Sequence, residues 1–338
     1  MGRQKMQDFR VKINAVNVVR EELMGIATLL VLLNHSKTFE WNGHFGILKK
    51  MFSEGGMGVD IFLLLSGIGM YYSFAKGEDR SGFYKRRFLR IVPIYFPLAI
   101  IFLAIIECLG KFHLANYILR VTTASYWING DGIYWYVSYI LIFYLLYPFI
   151  YKYLLKGDAN PFLSIALMFA VEVIVLIFFN QYYVKMQFAL SRLPITVLAC
   201  YLGKYAYENK EVKAISIGVL LVPFMILRGI RIVFVPEVYE ALVTFLVKTA
   251  NMFLIIFFVY FYYGMRNMIF AWIKNVLQFF GKYSLEIYLI HISLITIIFA
   301  RLENVNVLFY FGIIVPVTLV MSCFYQWMVK ALLRLNGQ

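Results

Sequence analysis

The chain has 338 residues, of which 62% are hydrophobic and only 15% charged, and its formal net charge is +14. Soluble domains carry about 25% charged residues. Apolar runs of roughly 18 to 22 residues recur along the whole length, which excludes a soluble multi-domain enzyme and predicts an all-α, multi-pass integral membrane protein.

The basic residues sit in short clusters between the apolar runs. That is the distribution the positive-inside rule produces, so the partner it implies is the lipid bilayer and no nucleic acid. Arg3, Lys5, Arg10, Lys12 and Arg20 precede the first run, and no small-residue cleavage pattern follows it, so it reads as a retained span. Ten transmembrane helices are predicted, over 23–42, 57–75, 92–110, 134–155, 162–180, 190–206, 213–229, 241–264, 284–301 and 306–330. An even count puts both termini on one side. Placing them in the cytoplasm puts most of the lysines and arginines inside, hence N-in/C-in. Residues 1–338 read as a single transmembrane domain with no appended soluble domain.

Two connections exceed the length they need. Residues 111–133, with Tyr126 and Trp127, are expected on the outer side, where aromatics sit at interfaces or stack on sugars; residues 265–283 suit an interfacial helix on the inner side. Cys108, Cys200 and Cys323 are scattered in apolar runs without metal-ligand spacing and are expected to be buried packing residues.

In chain order, the first group able to carry chemistry is His35, about 12 residues into its span and so roughly 18 Å from the inner edge. An imidazole in hydrocarbon is costly, and a neutral one acts as a general base; the bland alternative is a histidine hydrogen-bonded between helices. Asp60 follows, a carboxylate beside glycines at a span entrance, suited either to capping the helix or to orienting a histidine. Lys85, Arg86, Arg87 and Arg90 crowd the next entrance. They are topology charges on one reading and a fork for phosphates on another, since at least two share a helical face. Glu172 and Lys248 lie inside spans and suit an ion pair. Ser284, Tyr288 and His291 form a polar stripe on one helix face, with Glu286 turned away toward the headgroups.

Taken together these stretches resemble the integral-membrane acyltransferase family 3. The likeness rests on the first span with its histidine, Gly58-Val59-Asp60-Ile61-Phe62 with Ser66, and Arg86-Arg87-Phe88-Leu89-Arg90-Ile91. It continues through Trp135-Tyr136-Val137-Ser138, Arg192-Leu193-Pro194 and Tyr283-Ser284-Leu285 followed by Ile287-Tyr288-Leu289-Ile290-His291. It covers about residues 20–295. The resemblance implies a bundle of about ten helices in the plasma membrane that moves an acyl group, commonly acetyl, from cytoplasmic acyl-CoA to a hydroxyl. The acceptor would be a cell-envelope polysaccharide, a lipid-linked sugar or a similar molecule. Acyl-CoA would be a co-substrate, with no permanently bound cofactor and no metal. By the same resemblance His35 is the catalytic position and Arg86, Arg87 and Arg90 face the CoA phosphates. Arg20, Asp60, Ser66, Trp135, Ser138, Arg192, Ser284, Tyr288 and His291 are candidates for lining the pocket.

The chain departs from the family pattern at Met24, where an arginine is usual, and at Ile140, where many relatives carry glutamate. Arg20, one turn earlier and about 60° round the helix from His35, is placed to stand in for the missing arginine. The rival from another class is a transporter or flippase using His35, Glu172 and Lys248 as an ion path, although no internal repeat supports it.

Overall fold

A computed structural model describes residues 10–41, 43–77, 80–156, 159–236 and 239–335; Arg3 and Lys5 lie outside them. The described chain is almost entirely helical, and every predicted span has a helical counterpart. The principal helices are α1 (Arg20–His35), α2 (Met57–Ala75), α3 (Arg80–Leu109), α4 (Trp135–Ile150) and α5 (Pro161–Phe178). They continue as α6 (Asn180–Leu190), α7 (Leu193–Tyr207), α8 (Leu221–Phe234), α9 (Glu240–Met265), α10 (Ala271–Lys282), α11 (Ser284–Phe299) and α12 (Val315–Leu335). Among the described residues, 8 helices are long and apolar enough to cross a membrane, or 9 if the pair α10–α11, bent by 67°, is one span.

Two boundaries depart from expectation for identifiable reasons. The first span was expected to reach residue 42, but α1 stops at His35 and gives way to a 3₁₀ turn over Ser36–Thr38. There the Ser36 hydroxyl donates to the Leu33 carbonyl (2.6 Å) and the Thr38 hydroxyl to the His35 carbonyl (2.8 Å). Such local bonds compete with the helical ladder. In the other direction, α3 begins at Arg80 and not at 92, so the arginine cluster lies within a 30-residue helix that also holds Pro93 and Pro97. Hydropathy marks where a helix is apolar, not where it begins. Where starts are capped, the chemistry is ordinary: the Asn160 side chain accepts from the Phe162 and Leu163 amides, with Pro161 in the first helical position.

The contacts divide the chain into two units. The first comprises residues up to Leu23, Val59–Phe83 and Ile142–Lys274. Here a short antiparallel ribbon pairs β1 (Arg10–Lys12) with β2 (Glu211–Lys213), Arg10 opposite Lys213. Beside it Ile13, Ala15, Ala206, Ile217 and Tyr260 form a buried cluster. Helices α2 and α7 cross on small residues: a Cβ added at Gly67 would come within 2.5 Å of the Ala199 Cβ, and one at Gly203 within 2.8 Å of the Tyr71 Cβ. Without a hydrophobic drive between helices in lipid, such close approach is how they gain packing energy. Glu22 is buried and bridged to Arg266 at 2.8 Å, with the Tyr262 hydroxyl donating to it at 3.0 Å.

The second unit comprises Met24–Gly58, Tyr84–Leu141 and the chain from Asn275 on. Its centre is α1, gripped by glycine contacts. A Cβ on Gly25 would fall 1.8 Å from the Leu277 carbonyl oxygen of α10. Those on Gly55 and Gly58 would fall 2.1 Å from the Leu30 oxygen and 2.4 Å from the Ala27 oxygen. The Tyr310 hydroxyl donates to the Leu32 carbonyl at 2.7 Å. After the 3₁₀ turn, Glu40 pairs through its backbone with the segment around Asn306, its amide donating to Val305 and its carbonyl accepting from Val307, both at 2.9 Å.

Because the obstacle at Gly25 is backbone and not a side-chain tip, Gly25→Ala should force α1 and α10 apart. The expected loss is at least about 1–3 kcal/mol, the usual cost of overpacking, read as a lower unfolding midpoint in detergent. Gly264→Ala, with open space around that position, is the matched control.

The aromatic connection 111–133 folds into two short helices, Leu114–Val121 and Ala124–Asn129. The expected interfacial segment is α10, which buries Leu277 and Gly281 and leaves Trp272, Val276 and Phe279 uncovered. Of the cysteines, Cys200 is buried and Cys323 partly so. Cys108 is exposed, contrary to expectation, because its side of α3 is left uncovered by the protein.

Candidate functional site

Within the second unit, the end of α1 and the middle of α11 bring two imidazoles together. His35, half-buried, is the last residue of α1; His291 on α11 is fully buried. Their ring centroids are 4.7 Å apart in an edge-on arrangement, with the planes at 74°. The His291 Nδ1 lies 3.3 Å from the Tyr288 carbonyl oxygen one turn back. That favours the tautomer with its proton on Nδ1, leaving Nε2 as a lone-pair acceptor. Among the described residues this buried Nε2 has no hydrogen-bond partner. A buried acceptor without a donor is costly in a folded chain, and the ring that carries it packs against a second imidazole, which makes the pair the candidate site.

The surroundings are tyrosines and serines from α11 and from the start of α4. The Tyr288 hydroxyl donates to the Ile133 carbonyl at 3.3 Å, and the Tyr288 and Tyr136 rings lie 5.9 Å apart. Ser293 donates to the Leu289 carbonyl (2.7 Å), so in its contact with Tyr134 the tyrosine hydroxyl is the donor. Ser284 is buried at the start of α11. Glu286 is not turned to the headgroups as expected: it is buried and accepts from the Gln326 amide at 3.2 Å, since α12 covers that face.

Ser138 on α4 is buried and donates to the Thr123 carbonyl at 2.9 Å, a bond that ties α4 to the aromatic connection. Trp135, the first residue of α4, is half-buried, its ring 6.4 Å from that of Tyr126. Ile140 is buried in the apolar core. Arg120 bridges Glu107 and Asp131, both at 2.7 Å, a pairing that sequence reasoning missed because nothing in the chain links those three positions. Arg86, Arg87 and Arg90 lie on the first turns of α3; Arg86 and Arg90, four residues apart on one face, are exposed and Arg87 is half-buried.

The remaining sequence-predicted residues belong to the first unit. Asp60 is engaged as an ion pair within its own unit: its carboxylate is 2.7 Å from the Arg192 Nε and 3.9 Å from the Lys248 Nζ. Asp60 and Arg192 are both only 3% exposed. Lys248 therefore faces Asp60, while Glu172 accepts from the Tyr183 hydroxyl at 2.9 Å. The Arg20 guanidinium packs against Gly69 of α2, where an added Cβ would lie 3.1 Å from its Nη2. Ser66 is half-buried on α2. No group of three or more His, Cys, Asp or Glu is arranged to hold a metal among the described residues.

Comparison with known proteins agrees with the resemblance. No curated protein and no solved structure matches the chain. A family model described as an acyltransferase domain matches residues 23–326, nearly the whole length, and spans the helices that carry both histidines. The chain is a membrane acyltransferase and belongs to acyltransferase family 3.

Proposed function

We propose that the protein is an O-acetyltransferase of the plasma membrane, a ten-helix N-in/C-in bundle. It would move acetyl from cytoplasmic acetyl-CoA to a hydroxyl of an envelope polysaccharide, a lipid-linked sugar or a similar acceptor. The observation that carries this reading is the His35–His291 pair at 4.7 Å in a chain of this family.

In this mechanism the neutral His35 imidazole takes the proton of the acceptor hydroxyl as the oxygen attacks the thioester carbonyl. The tetrahedral intermediate collapses, the C–S bond breaks, and the imidazolium returns its proton to the departing CoA thiolate. One base of this kind contributes about 10²–10⁴ in rate. The route is direct, through a ternary complex: Ser36, next to His35 in the chain, and Ser293, two residues after His291, donate their hydroxyls to the Leu33 and Leu289 carbonyls. Arg86, Arg87 and Arg90 serve as the anchor for the CoA phosphates, with guanidinium forks matched to phosphate oxygens.

The test uses purified full-length protein. Specific acetyl-CoA binding, and CoA release dependent on a hydroxyl acceptor, are expected. Proton-coupled flux of a substrate without CoA dependence would replace the enzyme with the transporter. Arg86→Gln combined with Arg87→Gln should weaken acetyl-CoA binding about tenfold or more, since each lost charge-assisted bond is worth about 1.5–3 kcal/mol. Affinity equal to wild type would remove the arginines from the donor site.

A further inference from the structure

The acyl-transfer chemistry proposed above uses one imidazole of the pair and leaves the other without a task. His291 is 0% exposed. Its Nδ1 is engaged with the Tyr288 carbonyl, 3.3 Å away, so the remaining lone pair is on Nε2. The hydroxyls on and beside α11 are committed elsewhere. Tyr288 donates to the Ile133 carbonyl, Ser293 to Leu289, Thr296 to Ile292, and Tyr134 to Ser293. Ser284, seven residues back, is about 10 Å away along the helix axis. Among the described residues Nε2 therefore has no partner, at a depth where an empty acceptor costs stability.

The group placed to fill it is the other imidazole. The His35 ring lies against that of His291, with centroids 4.7 Å apart and planes at 74°. A bulky acceptor molecule does not reach a fully buried nitrogen, but the half-buried His35 ring meets His291 and keeps an exposed side. The Cβ–Cγ torsion of a histidine is broad, so turning the His35 ring toward Nε2 moves neither helix. The bond made by one ring nitrogen in turn decides whether the other carries a proton or a lone pair.

We propose that His291 is a positioning residue, whose Nε2 accepts a hydrogen bond from an N–H of the turned His35 ring. This bond fixes the tautomer in which the other His35 nitrogen presents its lone pair to the acceptor hydroxyl. When His35 takes the hydroxyl proton, the same bond holds the imidazolium until that proton passes to the CoA thiolate. His291 stays neutral throughout and neither gains nor loses a proton. The role rests on the acyl-transfer reading, but the bond between the two rings is observable without turnover.

Full-length protein with isotopically labelled imidazole nitrogens is reconstituted in lipid vesicles and studied by solid-state NMR. The chain has 4 histidines, and His35→Gln and His291→Gln assign the signals of the pair. A protonated His35 nitrogen coupled to an unprotonated His291 nitrogen is expected. In turnover assays His291→Phe, which keeps a buried ring but offers no acceptor, should lower kcat about 10- to 100-fold with the KM for acetyl-CoA unchanged, the ratio set by one hydrogen bond to a charged group. His291→Gln, whose amide oxygen can stand where Nε2 was, should recover most of that loss. Two results overturn the role: no coupling between the two histidines, or equal turnover of the phenylalanine and glutamine variants, which would make His291 a packing residue. Should His291→Phe fail to fold, the coupling in the unmodified protein decides alone. Absent coupling with an inactive His35→Ala protein fails this inference and spares the acyl-transfer reading. Coupling with full turnover of His35→Ala fails His35 as the base, and the positioning role with it.

Discussion

His35→Ala is expected to lower acyl transfer by about 10²–10⁴, the contribution of one positioned general base, while the protein still inserts and binds acetyl-CoA. The separation of effects follows from the structure. His35 is the final residue of α1, beyond the three glycine contacts that hold the helix, and it is only half-buried. Truncation there removes a ring contact with His291 but opens little space in the core. His291→Ala would be a poorer probe, because His291 is fully buried and its loss leaves a cavity. CoA release measured with saturating donor and acceptor is the readout. Turnover close to wild type in a folded His35→Ala protein would take this imidazole out of the mechanism.

The largest stability effect is expected at Asp60. Asp60→Leu leaves the buried Arg192 guanidinium without its carboxylate and deprives Lys248 of the acid 3.9 Å away. Breaking one side of a buried pair costs about 3–5 kcal/mol, because an uncompensated charge stays buried. Replacing both partners is much cheaper, since the desolvation penalty leaves with them. Asp60→Leu should therefore unfold at a markedly lower midpoint in detergent, and Asp60→Leu with Arg192→Leu should recover most of the difference. If the double variant were no better than the single one, the cost would come from lost space-filling and not from stranded charge.

Hydropathy made the helices legible, because an apolar run is what it detects, although ten spans were expected and among the described residues 8 helices, or 9 with the bent pair, are long and apolar enough to cross a membrane. Ends were less legible. The stop at His35 depends on two side-chain hydroxyls turning to their own backbone, and the early start of α3 depends on helix continuing through a charged stretch. The bend between α10 and α11 at Tyr283 is announced in the sequence only by Gly281, the next-to-last residue of α10. For the site, His35 and His291 were visible singly, as costly groups on apolar helices, but their meeting across 256 positions of sequence was not. Asp60 illustrates the same limit: a cap, a histidine partner and an ion pair all want a carboxylate, and only the fold selects Arg192. Lys248 and Glu172 suited each other by charge alone, yet each found a different partner.

The glycine contacts around α1 bear on motion as well as packing. At Gly25 the helix touches the Leu277 backbone, and at Ala27 it is touched by Gly58, so closely that no side chain fits at either glycine. A slide of one residue along the axis, or a turn of about 100°, would bring Met24 or Ile26 to the Gly25 position and its Cβ into collision with the α10 backbone. In the second unit α1 therefore acts as a fixed post. The imidazole at its tip keeps one station relative to α10 and to the segment around Gly55, so under the proposed mechanism both reactants would come to a stationary imidazole. A piston or rocking stroke of this helix against those neighbours has no room.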